Sequence, residues 1–143
     1  MNRRVDANHG LLYAVEIANR LQLPVLFYEG LTCTYQYAND RLHTFILQGV
    51  PETARRLKRA GIGYVFFLRR TKKSRNDILY QLASRAAAVV TDDYPTFIAR
   101  DHNSRVPQKL DVPYLVVDSS CVVPMASIAV WRKSSAENSM RPR

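Results

Sequence analysis

Ala87-Ala88-Val89-Val90-Thr91-Asp92-Asp93 is a short apolar run, rich in β-branched residues, that stops at two carboxylates. Continuous apolar character over so few residues, followed at once by polar ones, is typical of a strand buried on both faces of a parallel sheet. Three other segments have the same form, and each follows a helix-like segment: residues 25–28, 64–68 and 114–117. This alternation predicts an α/β fold whose functional edge lies at the carboxyl ends of the strands.

Length and composition indicate one domain with a basic surface. The chain has 143 residues, of which 47% are hydrophobic, and this is enough for a core without disulfides. Its formal net charge of +9 favours an anionic partner, with nucleic acid as the first candidate, although solubility alone also explains such a charge.

Cys33 and Cys121 lack metal-ligand spacing and are typical of reduced thiols. No segment has the form of a signal core or a membrane span, so we expect a cytoplasmic protein without membrane contact.

Helical patterns separate the predicted strands. Asp6 or Asn8 can cap a first helix, and Asn39 or Asp40 can cap a second one. Pro51 interrupts the second pattern, which predicts that a new helix starts there, because proline lacks the amide donor that an interior turn needs.

Motifs of known catalytic sites are missing from the sequence. There is no G-x-S-x-G elbow and no phosphate-binding P-loop, and Gly61-Ile62-Gly63 precedes a strand instead of a helix. The histidines lie apart from other ligand-type residues, so we expect no metal site.

Asp92 and Asp93 are adjacent on an extended backbone, where their side chains diverge and do not suit a paired acid and base. Asp93 as a helix cap and both residues at the lip of a ligand crevice remain open alternatives.

Two basic runs are candidates for contact with phosphates. Residues 55–59 lie on the outer face of a predicted helix, where solvation is the simpler explanation. Residues 69–75 lie in a predicted loop and are the better candidate for sequence-independent phosphate contact. Tyr35 and Tyr37 suit stacking on a base or a flat cofactor, and packing within their own loop is the alternative.

Several short motifs keep a characteristic order along the chain. They are RRVDANHGLLYA at residues 3–14, GLT at 30–32 with Tyr35, ANDR at 38–41, FILQG at 45–49, AGIGYV at 60–65, VVTD at 89–92, VD at 117–118 with VVP at 122–124, and RPR at 141–143. In this order they resemble the photolyase and cryptochrome family, and class II cyclobutane pyrimidine dimer photolyases in particular.

The resemblance implies an N-terminal, Rossmann-like α/β domain over residues 1–133, followed by a linker or disordered tail at 134–143. The expected fold is an open parallel sheet of about four to five strands with helices on both faces. In the family, this domain packs against a helical domain and helps to hold an antenna chromophore such as a deazaflavin, a folate or a flavin. The catalytic flavin (FAD) and the substrate pocket belong to the helical domain, so the resemblance implies no FAD site and no catalysis by this chain alone.

Family members begin with a strand in the middle of the sheet, and this chain has only residues 1–5 at that place. The resemblance therefore implies a central vacancy with unpaired backbone groups on either side. Three explanations remain open. The chain is an incomplete gene product, a partner chain or second copy completes the sheet, or a local segment such as residues 127–132, which have strand-like composition, occupies the vacancy.

The resemblance, together with charge and position, selects a set of candidate ligand residues. They are Arg3, Arg4 and Asn8 at the start of the first helix, Glu29 and Gly30 after the strand that follows, and Asp92 with Arg100. A helix N-terminus with arginines suits an anionic group. We expect an antenna-chromophore or assembly module of light-dependent DNA repair, with a helical photolyase subunit as partner. The alternative is a nucleotide-binding or basic nucleic-acid-binding accessory module of similar architecture.

Overall fold

Helices and parallel strands alternate along the chain, as predicted for an α/β protein. The computed structural model describes residues 4–34, 38–94 and 97–119. The elements are α1 (His9–Leu21), β1 (Leu26–Thr32), α2 (Asp40–Arg59), β2 (Gly63–Arg69), α3 (Ile78–Ala83), β3 (Val89–Asp92), α4 (Phe97–Arg105) and β4 (Tyr114–Val117), with a 3-10 turn at Pro107–Lys109. Arg3, Tyr35, Tyr37, the predicted strand at 127–132 and the predicted tail at 134–143 lie outside the described residues.

The described strands form two separate parallel pairs. One pair joins β1 to β2 and the other joins β3 to β4. A single sheet of four to five strands is therefore not confirmed. Within residues 4–34, 38–94 and 97–119, each of the four strands has a strand neighbour on one edge only.

Strand β1 is longer than the sequence predicts. Glu29 and Gly30 were expected in a loop after the strand, but they lie inside it, where they pair with Phe66 and Phe67 of β2. Pairing with β2 along the whole of β1 outweighs the polar local composition, because backbone ladder bonds do not depend on side-chain type. The expected position of these two residues was wrong.

Helix α2 runs without a break through Pro51, so the expected new helix at this proline was wrong. Proline in a helix interior removes one backbone hydrogen bond and costs about 3 kcal/mol. The helix spans 20 residues and packs on β2, so many other interactions offset that loss. Its start is as predicted, since Asn39 Oδ1 accepts a hydrogen bond from the Leu42 amide at 2.8 Å.

Burial is shallower than a strand covered on both faces requires. Every residue of β3 is half-buried, and in β4 Val116 is exposed. Leu57 of α2 is the one large side chain of the described residues that has no exposed surface. Two-stranded sheets offer little surface for helices to cover, which explains the thin core.

Among the described residues, no helix combines the length and apolar character needed to cross a bilayer.

Candidate functional site

The start of α1 meets the carboxyl ends of β3 and β4. Helix α1 packs on both strands. Ser119, just beyond β4, accepts a hydrogen bond at its Oγ from the Gly10 amide at 3.0 Å. Its carbonyl accepts one from the Arg4 guanidinium, also at 3.0 Å. Ser119 is only 4% exposed, so these bonds hold the N-terminus of the helix against the end of the strand pair.

Asn8 connects the segment before α1 to the first turn of the helix. Its Oδ1 accepts from the Leu11 amide at 3.0 Å, and its Nδ2 donates to the Arg4 carbonyl at 3.0 Å. Asn8 is 4% exposed. A Cβ at Gly10 would lie 3.4 Å from both Asn8 Oδ1 and Asp92 Oδ1, so the lack of a side chain there permits this close approach. We call Arg4, Asn8, Gly10, Asp92 and Ser119 the α1 cluster.

The structure thus brings three predicted ligand residues together, namely Arg4, Asn8 and Asp92. It also shows that the helix amides at Gly10 and Leu11 already donate to Ser119 and Asn8. An anion at this helix start would have to compete with those bonds and would lie near the Asp92 carboxylate. A ligand role for the α1 cluster stays a prediction.

Helix α4 is tied to β3 and β4 by a short polar chain. Asn103 Nδ2 donates to the Asp92 carbonyl at 3.0 Å, and the Tyr114 hydroxyl donates to Asn103 Oδ1 at 2.9 Å. Burial raises the pKa of the Tyr114 phenol above its ordinary value. The Asp93 amide extends the hydrogen bonding between β3 and β4 by donating to the Val117 carbonyl at 2.7 Å.

Arg100 is exposed on α4 and has no hydrogen bond or ion pair to the α1 cluster within the described part of the chain.

A second candidate site lies between β1 and α2. A groove of about 390 Å³ is lined by Glu29 and one face of α2, namely Phe45, Ile46, Gln48, Gly49, Val50 and Thr53. Glu29 is only 7% exposed, and its Oε2 accepts a hydrogen bond from the Tyr64 hydroxyl at 2.7 Å. Phe45 is 75% exposed and presents most of its ring to solvent. The volume lies within the range of small-molecule sites.

Gly30 does not line this groove. Neighbouring residues of a strand point to opposite faces, so Gly30 and Glu29 lie on different sides of the β1–β2 pair. A Cβ at Gly30 would lie 2.9 Å from the Tyr28 hydroxyl. The two predicted residues therefore do not line one pocket together.

Glu29 is one of the predicted ligand residues, whereas the α2 side of the groove was not predicted from the sequence. The sequence around residues 45–53 mixes apolar and polar residues, and this mixture does not distinguish a groove wall from ordinary surface. The described residues contain no cluster of three or more side chains suited to metal binding.

Comparison with known proteins gives a similarity that spans most of the chain. Over 129 residues, the chain is 31% identical to the deoxyribodipyrimidine photo-lyase of Methanothermobacter thermautotrophicus. The match covers 90% of this chain but only 28% of the relative, so the chain spans less than a third of the curated relative it matches. No family model matches the chain. The identity, extending over nearly the whole chain, supports a relation to the photolyase family.

Proposed function

We propose, on the premise of this relation to the photolyases, that the chain is an N-terminal, Rossmann-like α/β module of class II photolyase type. In this proposal it holds an antenna chromophore or assembles with a helical partner in light-dependent DNA repair, and it does not catalyse repair alone. The similarity covers 28% of the relative, so much of the relative has no counterpart in the matched region. The activity of the whole relative is therefore not carried over to the region that this chain matches.

The groove at Glu29 is the observation that carries the chromophore part of the proposal. A buried carboxylate accepts hydrogen bonds strongly from N–H groups, because its environment contains little water to compete. Flat rings with N–H donors on one edge, such as deazaflavins, flavins and the pterin of folates, match a carboxylate in an apolar groove. The exposed ring of Phe45 offers a surface on which such a ring can stack.

The division of the strands supports the assembly part. Strand edges without a neighbour leave backbone donors and acceptors available for pairing with another chain. Among the described residues, each of the four strands has one edge of this kind. A strand from a second copy or a further strand of this chain would pair with these backbone groups, whereas a helical partner would only cover the edge.

We expect the chain to retain a visible or near-ultraviolet absorption band after incubation with a deazaflavin, a flavin or a folate and removal of unbound compound. Glu29→Gln should weaken binding about tenfold or more, because a hydrogen bond to a charged group contributes about 1.5–3 kcal/mol. Absorption titration of both proteins measures the change.

Glu52→Gln is the matched control, since Glu52 is an exposed carboxylate of α2 that pairs with Arg55 at 2.7 Å. It should bind like the unaltered chain. A spectrum without a bound band in all three mixtures would contradict the chromophore role. Binding lost in Arg4→Ala or Asp92→Asn but kept in Glu29→Gln would assign the ligand to the α1 cluster.

A further inference from the structure

The loop between β2 and α3, residues 70–76, is folded around the side chain of Arg69. The Arg69 guanidinium donates to the Ser74 carbonyl at 3.2 Å and to the Lys72 carbonyl at 2.7 Å. The Ser74 amide donates to the Thr71 carbonyl at 3.2 Å, and the two hydroxyls of Thr71 and Ser74 lie 2.9 Å apart. We call residues 70–76 the basic loop. These bonds give its backbone a defined shape.

Arg75, near the far end of the basic loop, has its charge compensated locally. Its guanidinium donates to both carboxylate oxygens of Asp77, each at 3.0 Å. The same guanidinium holds the pKa of the Asp77 carboxyl below its usual range. Gln81 also donates to Asp77 at 2.9 Å, so this carboxylate is engaged by two partners.

Three cations of the basic loop have no such compensation. Arg70, Lys72 and Lys73 are exposed, and none has an ion pair or hydrogen bond from its side chain within the described residues. Four exposed arginines elsewhere pair with carboxylates: Arg20 with Glu16, Arg55 with Glu52, Arg56 with Asp6 and Arg105 with Asp101. The loop therefore concentrates three uncompensated positive charges within four residues.

We propose that Arg70, Lys72 and Lys73 form a contact surface for the phosphates of nucleic acid, binding independently of base sequence. The loop shape is fixed by Arg69, so these cations are presented without a large ordering cost on binding. Lysine and arginine side chains that neutralise phosphates release condensed counterions, which favours binding at low salt. This surface is separate from the Glu29 groove, and the proposal does not depend on a chromophore.

The composition of the basic loop favours nucleic acid over an anionic membrane. Residues 70–76 read RTKKSRN and contain no apolar side chain that would insert between lipids. Lipid-binding basic clusters carry about 4–8 lysines or arginines, more than the three uncompensated ones here. Arg69, which the sequence grouped with the contact residues, is instead a positioning residue whose guanidinium holds the loop.

The test compares two triple variants with equal loss of charge. Arg70→Gln/Lys72→Gln/Lys73→Gln removes the proposed contacts, and Lys58→Gln/Arg59→Gln/Arg85→Gln removes three exposed cations that precede the amino ends of β2 and β3. Fluorescence anisotropy with a labelled DNA duplex gives affinity over a salt series. We expect the loop variant to bind at least about tenfold more weakly at low salt. The slope of log affinity against log salt should fall by about 2–3, at roughly 0.9 for each phosphate contact.

The control triple variant should change both quantities much less, and circular dichroism should show that both variants are folded. Equal losses in the two variants would overturn the proposal, since net charge alone would then explain binding. Lack of binding by the unaltered chain at low salt would overturn it as well. Tighter binding to phosphatidylserine vesicles than to DNA would overturn it in favour of a membrane surface.

Discussion

Leu57→Ala is expected to lower the free energy of unfolding by about 2–5 kcal/mol, the usual cost of replacing a buried leucine by alanine. Leu57 has 0% exposed surface and lies where α2 packs on β2. The other buried hydrophobic residues of the described chain are Ala18, Leu31, Ala83 and Val106. With so few large buried side chains, Leu57 supplies a large share of the buried apolar surface of the described residues. The loss would be a large fraction of the stability of an ordinary domain, about 5–15 kcal/mol.

Urea unfolding followed by circular dichroism measures this effect. Leu47→Ala is the matched control, because Leu47 lies on the same helix and is 39% exposed. Both variants lose the same atoms and have the same change in helix propensity, so the difference between them reports burial. Similar losses in the two variants would show that Leu57 is not the centre of the core.

Much of the local structure could be predicted because it depends on short-range patterns. Strands β2, β3 and β4 begin and end within two residues of the segments that predicted them, namely 64–68, 87–93 and 114–117. Asn8 and Asn39, each one of two cap candidates in the sequence, cap their helices, since a side-chain acceptor before an apolar helix is a local signal. The length of β1 and the division into two strand pairs depend on pairing between distant segments, which no local pattern specifies.

The candidate sites also differ in how far local sequence could predict them. Arg4, Asn8 and Asp92 could be grouped from sequence because helix starts and the carboxyl ends of parallel strands meet at one edge. The groove at Glu29 could not, since its other wall depends on which side of α2 faces β1. The separate roles of Arg69, which holds its loop, and of Lys72 and Lys73, which are exposed, also depend on contacts made only in the folded chain.

Asn8→Ala is expected to cost about 2–3 kcal/mol in the free energy of unfolding. Loss of the cap on the Leu11 amide accounts for about 1 kcal/mol. Loss of the bond from Nδ2 to the Arg4 carbonyl adds about 1–2 kcal/mol, because Asn8 is buried and its partners become hard to satisfy. Asn39→Ala is the matched control, since it removes the same cap from an exposed position on α2 and should cost only about 1 kcal/mol.

Asn8→Asp separates the two contributions. The carboxylate keeps an acceptor for the Leu11 amide and suits the positive end of the helix dipole, but it cannot donate to the Arg4 carbonyl. It would also add negative charge near Asp92, whose Oδ1 and Asn8 Oδ1 both lie 3.4 Å from the Cβ position at Gly10. We therefore expect urea unfolding to place Asn8→Asp between the unaltered chain and Asn8→Ala at neutral pH. If Asn8→Ala cost no more than Asn39→Ala, Asn8 would act as an ordinary cap, and its bond to Arg4 would not help to hold α1 against β3 and β4.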